Sequence, residues 1–230
     1  MSIAFTNPEA VTLIGGGEVG AATLARALVR APVLVAADGG ADTALALGRV
    51  PDLAVGDFDS ISDTARAVLG AGRLHHVADQ QTTDFDKALA SVSAPLVLAV
   101  GFSGARLDHT LAALNTLAAN PGRRIVLDTG YELCLLCPPH LALDLPAGAR
   151  VSLFPLAPVR CASMGLVWPT EGLLFAPEAR IGTSNAASGG SLVLQPDAPG
   201  LLLMLPNEAL DGLLAAFSAA LLWPASARAR

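Results

Sequence analysis

The sequence predicts an α/β domain with a doubly wound, mostly parallel sheet over residues 1–138, followed by an all-β domain of antiparallel strands over 139–230. Three observations predict it. In the first half, short apolar runs ending in Gly or Asp alternate with stretches of helical periodicity, as expected when crossover helices bury both faces of parallel strands. After about residue 140 the helical stretches stop, and strand-like runs follow one another, punctuated by Pro and Gly. The chain has 230 residues and is 53% hydrophobic, enough to build a sizeable core.

The elements follow in order. VTLIGG (11–16) is an apolar strand ending in glycines, and a helix with Leu24, Ala27 and Leu28 on one face comes next. PVLVAADGG (32–40) is a second strand, and ADTALALG is helical. DLAVGD (52–57) and LHHV (74–77) are the third and fourth strands. TTDFDKALASV reads as a helix with Thr or Asp available to cap it. PLVLAVG (95–101) is a strand, and LDHTLAALNTLAAN is a helix with Leu107, Leu111, Leu114 and Leu117 at three-to-four spacing. RRIVLD (123–128) is a further strand. Beyond it come short strands such as GLVWP, EGLLFAP, SLVLQP and GLLLMLP. An apolar helix within 208–222 follows, and the Ala/Arg tail is expected to fray.

Charge and composition exclude several function classes. The net charge is -6, which argues against a general phosphate-backbone binder, so no nucleic-acid partner is expected. The N-terminus lacks a signal-peptide pattern, and no apolar run is long enough to cross a bilayer. The chain is read as soluble and cytoplasmic, with no membrane partner. Cys134 and Cys137 form C-L-L-C, but in a strand residues three apart face opposite ways, and no second pair completes a zinc site. With Cys161 they are read as small buried hydrophobes.

Charged residues are only 15% of the chain, yet carboxylates gather just after the apolar runs. Ligands of open α/β sheets bind beyond the carboxyl ends of the strands, and four polar loops fall there: GGGE (15–18), DGGAD (38–42), GDFDS (56–60) and GFSGARLDH (101–109). The glycine loop, with Gly16 and Gly17, can offer N–H groups to phosphate or can simply be a tight turn. Asp57 and Asp59 are two apart; in extended backbone they point the same way, and in a loop both can reach one cation, which would offset their repulsion. Asp84, at a helix start with Thr83 before it, can complete a metal site, and Lys87 can meet a phosphate as a point charge. Arg106 at a helix N-terminus suits an anion. Asp108 can cap that helix and still serve a ligand, and a lone His such as His109 is more often structural than catalytic.

DGGAD, GDFDSI, DQQTTDFDKAL and GARLDHTLA, in this order and spacing, resemble the thiamine pyrophosphokinase (thiamine diphosphokinase) family. The resemblance continues at SLFPL, GLVW and GTSNAA, so it covers nearly the whole chain. It implies an α/β catalytic domain and a C-terminal β-sandwich, ATP as co-substrate and Mg²⁺ as cofactor. It also implies a homodimer whose thiamine sites form between subunits. The family's metal-site aspartates match Asp38, Asp57, Asp59 and Asp84, and its thiamine-site Ser-Asn matches Ser184 and Asn185. Asp57, Asp59 and Asp84 are taken as the metal core. Asp59, Asp84, Lys87 and Arg106 are taken as the catalytic set. Nucleotide and phosphate contacts are assigned to Gly16, Gly17, Asp38, Gly39, Gly40, Ser60, Thr83, Gly104, Asp108 and His109. Two departures stand out: Ala186 where bacterial members often carry an acid, and Ala105 where a glycine usually precedes Arg-Leu-Asp-His.

The implied reaction is attack of the thiamine hydroxyl on the β-phosphorus of ATP, with AMP leaving. The alternatives are a pyrophosphokinase acting on another alcohol such as a hydroxymethylpterin, a phosphatase using Asp57 as nucleophile, and a non-catalytic thiamine or nucleotide sensor. Two strand–glycine units precede Asp57, which disfavours the phosphatase. The intact set of aspartates disfavours the sensor. Trp168 is expected to be a core anchor, and Asp79 and Asp86 to be supporting or surface residues.

Overall fold

The structure, a computed structural model, describes residues 3–225. The tail expected to fray lies largely in 226–230, outside the described residues. The chain divides into two compact units, one of residues 1–116 with 125–130 and one of 117–124 with 131–230.

The first unit runs β1 (Phe5–Thr6), β2 (Val11–Ile14), α1 (Ala21–Arg30), β3 (Val33–Ala37), α2 (Gly40–Ala46), β4 (Leu53–Gly56), α3 (Asp63–Leu69), β5 (Leu74–His76), α4 (Asp84–Ser91), β6 (Val92–Ser93), β7 (Val97–Val100), α5 (Leu107–Ala119) and β8 (Ile125–Asp128). Every residue of β2, β4, β7 and β8 is buried. That is the signature of parallel strands covered on both faces. β2 pairs in parallel with β7 and β7 with β8, while β3 pairs with β4 and β4 with β5, also in parallel. β3 packs beside β2. From β2 in mid-sheet the chain therefore steps outward to β5, then returns to β7 on the other side of β2. Connections leave β2 and β7 in opposite directions, and such a switch point opens a crevice at the strands' carboxyl ends.

The helices follow from local chemistry. α1 buries Thr23, Leu24 and Ala27. α3 has no counterpart in the apolar pattern; Ser62 starts it, accepting the Ala65 N–H at 3.1 Å. On α5 the leucine spacing predicts the helix but not its buried face. Leu107 and Leu111 are exposed, whereas Ala113, Thr116 and Leu117 are buried. The smaller Ala and Thr side chains form much of the inward face.

The second unit is a β-sandwich. It contains β9 (Glu132–Leu136), β10 (Leu141–Leu145), β11 (Arg150–Pro155), β12 (Val159–Met164), β13 (Leu174–Phe175), β14 (Gly182–Ala186), β15 (Gly190–Pro196), β16 (Leu201–Pro206) and α6 (Leu210–Ala219). One antiparallel set runs β14-β11-β16-β9 and the other β10-β15-β12-β13. β10 alternates buried Leu141, Leu143 and Leu145 with exposed Ala142 and Asp144, the period-two pattern of a strand with one face in the core. α6 packs on β10. Arg124 closes the helix, donating to the Phe217 and Ala220 carbonyls at 2.9 and 2.8 Å. Among the described residues no helix is long and apolar enough to cross a membrane.

Candidate active site in the first unit

A cleft of about 980 Å³ opens in the first unit, lined by the segments that follow β2, β3, β4, β5 and β7. Its floor is acidic. Carboxylate oxygens of Asp38, Asp57 and Asp59 lie within 4.8 Å of one another. Each comes from a strand end: Asp38 directly follows β3, and Asp57 directly follows β4.

Backbone geometry makes this convergence possible. Asp38 and Phe58 both adopt left-handed backbone, with φ of 44° and 64°, which non-glycine residues rarely do without compensation. At Phe58 the compensation is visible. Its ring lies 5.8 Å from His76 and beneath the Arg66 guanidinium, which also donates to the Phe58 carbonyl. Asp57 and Asp59 thus meet across a left-handed residue in a loop, not along an extended strand. Gly56 is required beside them, because a Cβ there would sit 2.9 Å from that of Asp38.

The electrostatics are lopsided. Lys87 is buried, and its ammonium donates to Asp57 at 2.7 Å and Asp84 at 3.0 Å. Burial alone would lower the Lys87 pKa; the two carboxylates outweigh that and hold it raised. The hydrogen bond from Lys87 keeps Asp57 below the usual carboxylate range. Burial, a hydrogen bond shared with Asp59 and the field of Asp84 push Asp38 up to about 6. One ammonium cannot balance the four carboxylates of Asp38, Asp57, Asp59 and Asp84. Asp38 Oδ1 and Asp57 Oδ1 are buried and have no hydrogen-bond partner among the described residues. Orphaned carboxylate oxygens converging in an acidic cluster fit a hard divalent cation, which takes oxygen ligands.

Of the residues singled out in the sequence, Gly16, Gly17, Gly39, Asp57, Asp59, Ser60, Thr83, Asp84, Lys87, Gly104, Arg106 and His109 line the cleft. Asp38 lies in the cluster but is 1% exposed. Gly40 and Asp108 are outside the lining. Asp84 is held on Lys87, and the close carboxylate group contains Asp38 in its place. Gly17 spends its N–H on the Gly101 carbonyl at 2.9 Å. Arg106 pairs with Asp108 at 2.6 Å, both side chains two-thirds exposed. Ser60 donates its hydroxyl to Asp59 at 2.8 Å and its N–H to Asp38 at 3.3 Å.

Sequence reasoning passed over Glu18, Asp42, Gln80, Thr82, Phe85 and Phe102, which also line the cleft. Their signal was position: Gln80 and Thr82 lie within DQQTTDFDKAL, and Phe102 follows a strand-ending glycine. Phe85 and Phe102 stack with centroids 4.1 Å apart, joining α4 to the loop after β7.

Ser184 and Asn185 lie on β14 of the second unit. Ser184 has φ of 63°. The Asn185 amide pairs with both sides of the Trp168 backbone, accepting its N–H at 3.2 Å and donating to its carbonyl at 2.7 Å. Trp168 is not a core anchor: its side chain is 60% exposed. Asn185 secures the main chain and leaves the indole outside. All three cysteines are buried free thiols. Burial pushes Cys134 up to about 12 and Cys161 to about 11, so neither supplies thiolate chemistry near neutral pH.

Residues 24–127 match the profile of the thiamin pyrophosphokinase catalytic domain. Thiamine pyrophosphokinase 1 of Arabidopsis thaliana is 29% identical over 167 residues, which are 64% of this chain and 62% of the plant protein. Thiamine pyrophosphokinase 3 of rice is 28% identical over 164 residues, 63% of this chain and 61% of its own length. The chain thus spans somewhat less than two thirds of these relatives. Among solved structures, the thiamin pyrophosphokinase of Candida albicans superposes with a TM-score of 0.75 at 17% identity, covering 89% of this chain and 94% of the other. That of Bacillus subtilis gives 0.69 at 21% identity, covering 86% and 98%. At those identities the structures speak for the fold. Through residues 24–127, this chain is similar to the catalytic domain of the thiamin pyrophosphokinases.

Proposed function

We propose that the protein is a thiamine diphosphokinase, transferring diphosphate from ATP to the hydroxyl of thiamine and releasing AMP. The observation that carries this reading is the cluster of Asp38, Asp57 and Asp59 with two orphaned buried oxygens, set at the switch point of a parallel sheet. The similarity of residues 24–127 to the thiamin pyrophosphokinase catalytic domain supports the choice of substrates.

Asp38, Asp57 and Asp59, with Asp84 beside them, would hold Mg²⁺, which supplies charge neutralisation for phosphate oxygens. Catalysis then rests on positioning and charge. Lys87 and Arg106 are the cations available to offset charge developing on the transferred group. Arg106 must leave Asp108 to do so, and its exposure permits that. The loops carrying Gly16, Gly17, Gly39, Gly40 and Gly104, with Ser60, Thr83, Asp108 and His109, are assigned to the nucleotide. Ser184 and Asn185 are assigned to thiamine, Asn185 acting through the backbone it holds. A homodimer and a cytoplasmic location belong to the same proposal.

A coupled assay with ATP, Mg²⁺ and thiamine should yield thiamine diphosphate and AMP in equal amounts. Asp59→Asn should lower kcat by about a thousandfold, the scale of losing one preorganised electrostatic contact, with circular dichroism unchanged. Turnover surviving that substitution would remove Asp59 from the site. Turnover with a hydroxymethylpterin but none with thiamine would replace the substrate.

A further inference from the structure

We infer that Asp86 is a positioning residue for this site, tying the helix turn that carries Asp84 and Lys87 to α5. The inference rests on the proposed diphosphate transfer.

Asp86 is half-buried at the third position of α4. One of its oxygens serves the helix start: Oδ2 accepts the Thr83 hydroxyl at 3.0 Å, while the Asp86 N–H donates to that same hydroxyl at 3.1 Å. An acid here also suits the helix dipole. The other oxygen does something a cap does not need. Oδ1 lies 3.0 Å from the hydroxyl of Thr116, a fully buried residue of α5. Thr116 does not need it either, since its hydroxyl is within 3.1 Å of the Ala112 carbonyl of its own helix. The Asp86–Thr116 contact is therefore a polar bridge between two elements, each with a local alternative.

What it bridges is the cleft. α4 enters with Asp84 at its first position and Lys87 at its fourth, the Lys87 N–H donating to the Thr83 carbonyl at 2.9 Å. Turning that first helical turn moves Asp84 and Lys87 together and breaks the 2.7 Å contact from Lys87 to Asp57. On the other side, α5 lines the cleft with His109, Ala112 and Ala113, and Thr116 is one turn beyond Ala112. Asp86 is outside the cleft lining. It sets how α4 is rotated against α5, and so where the acid–lysine pair stands.

The test is a double-mutant cycle of Asp86→Ala and Thr116→Val. It is read by kcat and KM for thiamine, and by calorimetric Mg²⁺ titration of the substrate-free protein. Each single change should lower kcat about tenfold, the scale of a small misplacement of catalytic groups. KM should stay within about twofold, because the thiamine contacts are elsewhere, and Mg²⁺ affinity should fall. The double variant should be no worse than either single one. Thr116→Ser, which keeps the hydroxyl, should retain wild-type kcat and serves if the valine variant does not fold. Additive losses, a pure KM effect, or loss of kcat in Thr116→Ser would overturn the inference. If the wild type binds Mg²⁺ but transfers no diphosphate, the functional reading falls. The Mg²⁺ titration then decides on Asp86 by itself, unchanged affinity in Asp86→Ala ending the inference.

Discussion

Asp38 shows how far a single residue's role depends on its neighbours. In sequence it is one acid in a turn of glycines. In the fold it is sealed beneath the cleft, beside Asp59 and in the field of Asp84, and its carboxyl is raised from 3.8 to about 6. In the metal-free protein the neutral form is favoured in the folded state. Its contribution to stability is complete below the unfolded value of 3.8 and is lost as pH rises through 6. A cation must displace that proton. Calorimetry should therefore show Mg²⁺ affinity rising about tenfold between pH 5 and 7, the expected effect of a competing proton with a pKa near 6, while the metal-free melting temperature falls over the same range. Affinity flat with pH would exclude Asp38 from the cation site. The acids themselves were legible, because carboxylates at strand ends stand out in a chain with few charges. Two things were not: the left-handed backbone of Asp38 and Phe58, and the pairing of Lys87 with Asp57, 30 residues away. Phe58 is held by Arg66 and His76, and the ion pair joins residues 30 apart, so neither shows in local pattern.

At the level of elements, strands buried on both faces announced themselves as apolar runs, and α4 by the Thr at its start. α3 escaped notice because seven residues with two buried positions, Ala65 and Leu69, give too little periodicity to read. The outward turn of Leu107 and Leu111 also escaped it, since spacing identifies a helix without saying which neighbour it meets. α6 illustrates support of the same long-range kind. Its last carbonyls are closed by Arg124, 93 and 96 residues away in sequence. Arg124→Ala should destabilise the second unit by about 1–2 kcal/mol, the worth of charge-assisted hydrogen bonds at a helix end. Diphosphate transfer should be retained. Equilibrium denaturation measures this directly, and an unchanged midpoint would mean that the helix end finds other partners.

For the molecule as a whole, the proposed homodimer is tested by sedimentation across concentration with activity measured in parallel; a stable, fully active monomer removes it. By itself, the sequence determined the two-part architecture and the strand-end loops that carry chemistry. Both follow from local pattern: buried parallel strands must be apolar, and the polar residues that end them fall at one edge of the sheet. Tertiary structure alone decided which acids meet. Asp38 replaces Asp84 in the closest carboxylate group, Lys87 takes Asp57 and Asp84, and Asp86, expected as a supporting or surface acid, reaches Thr116. The reason is physical: hydrogen bonds and ion pairs depend on distances of a few ångströms between segments tens of residues apart, and only the packed fold sets those distances.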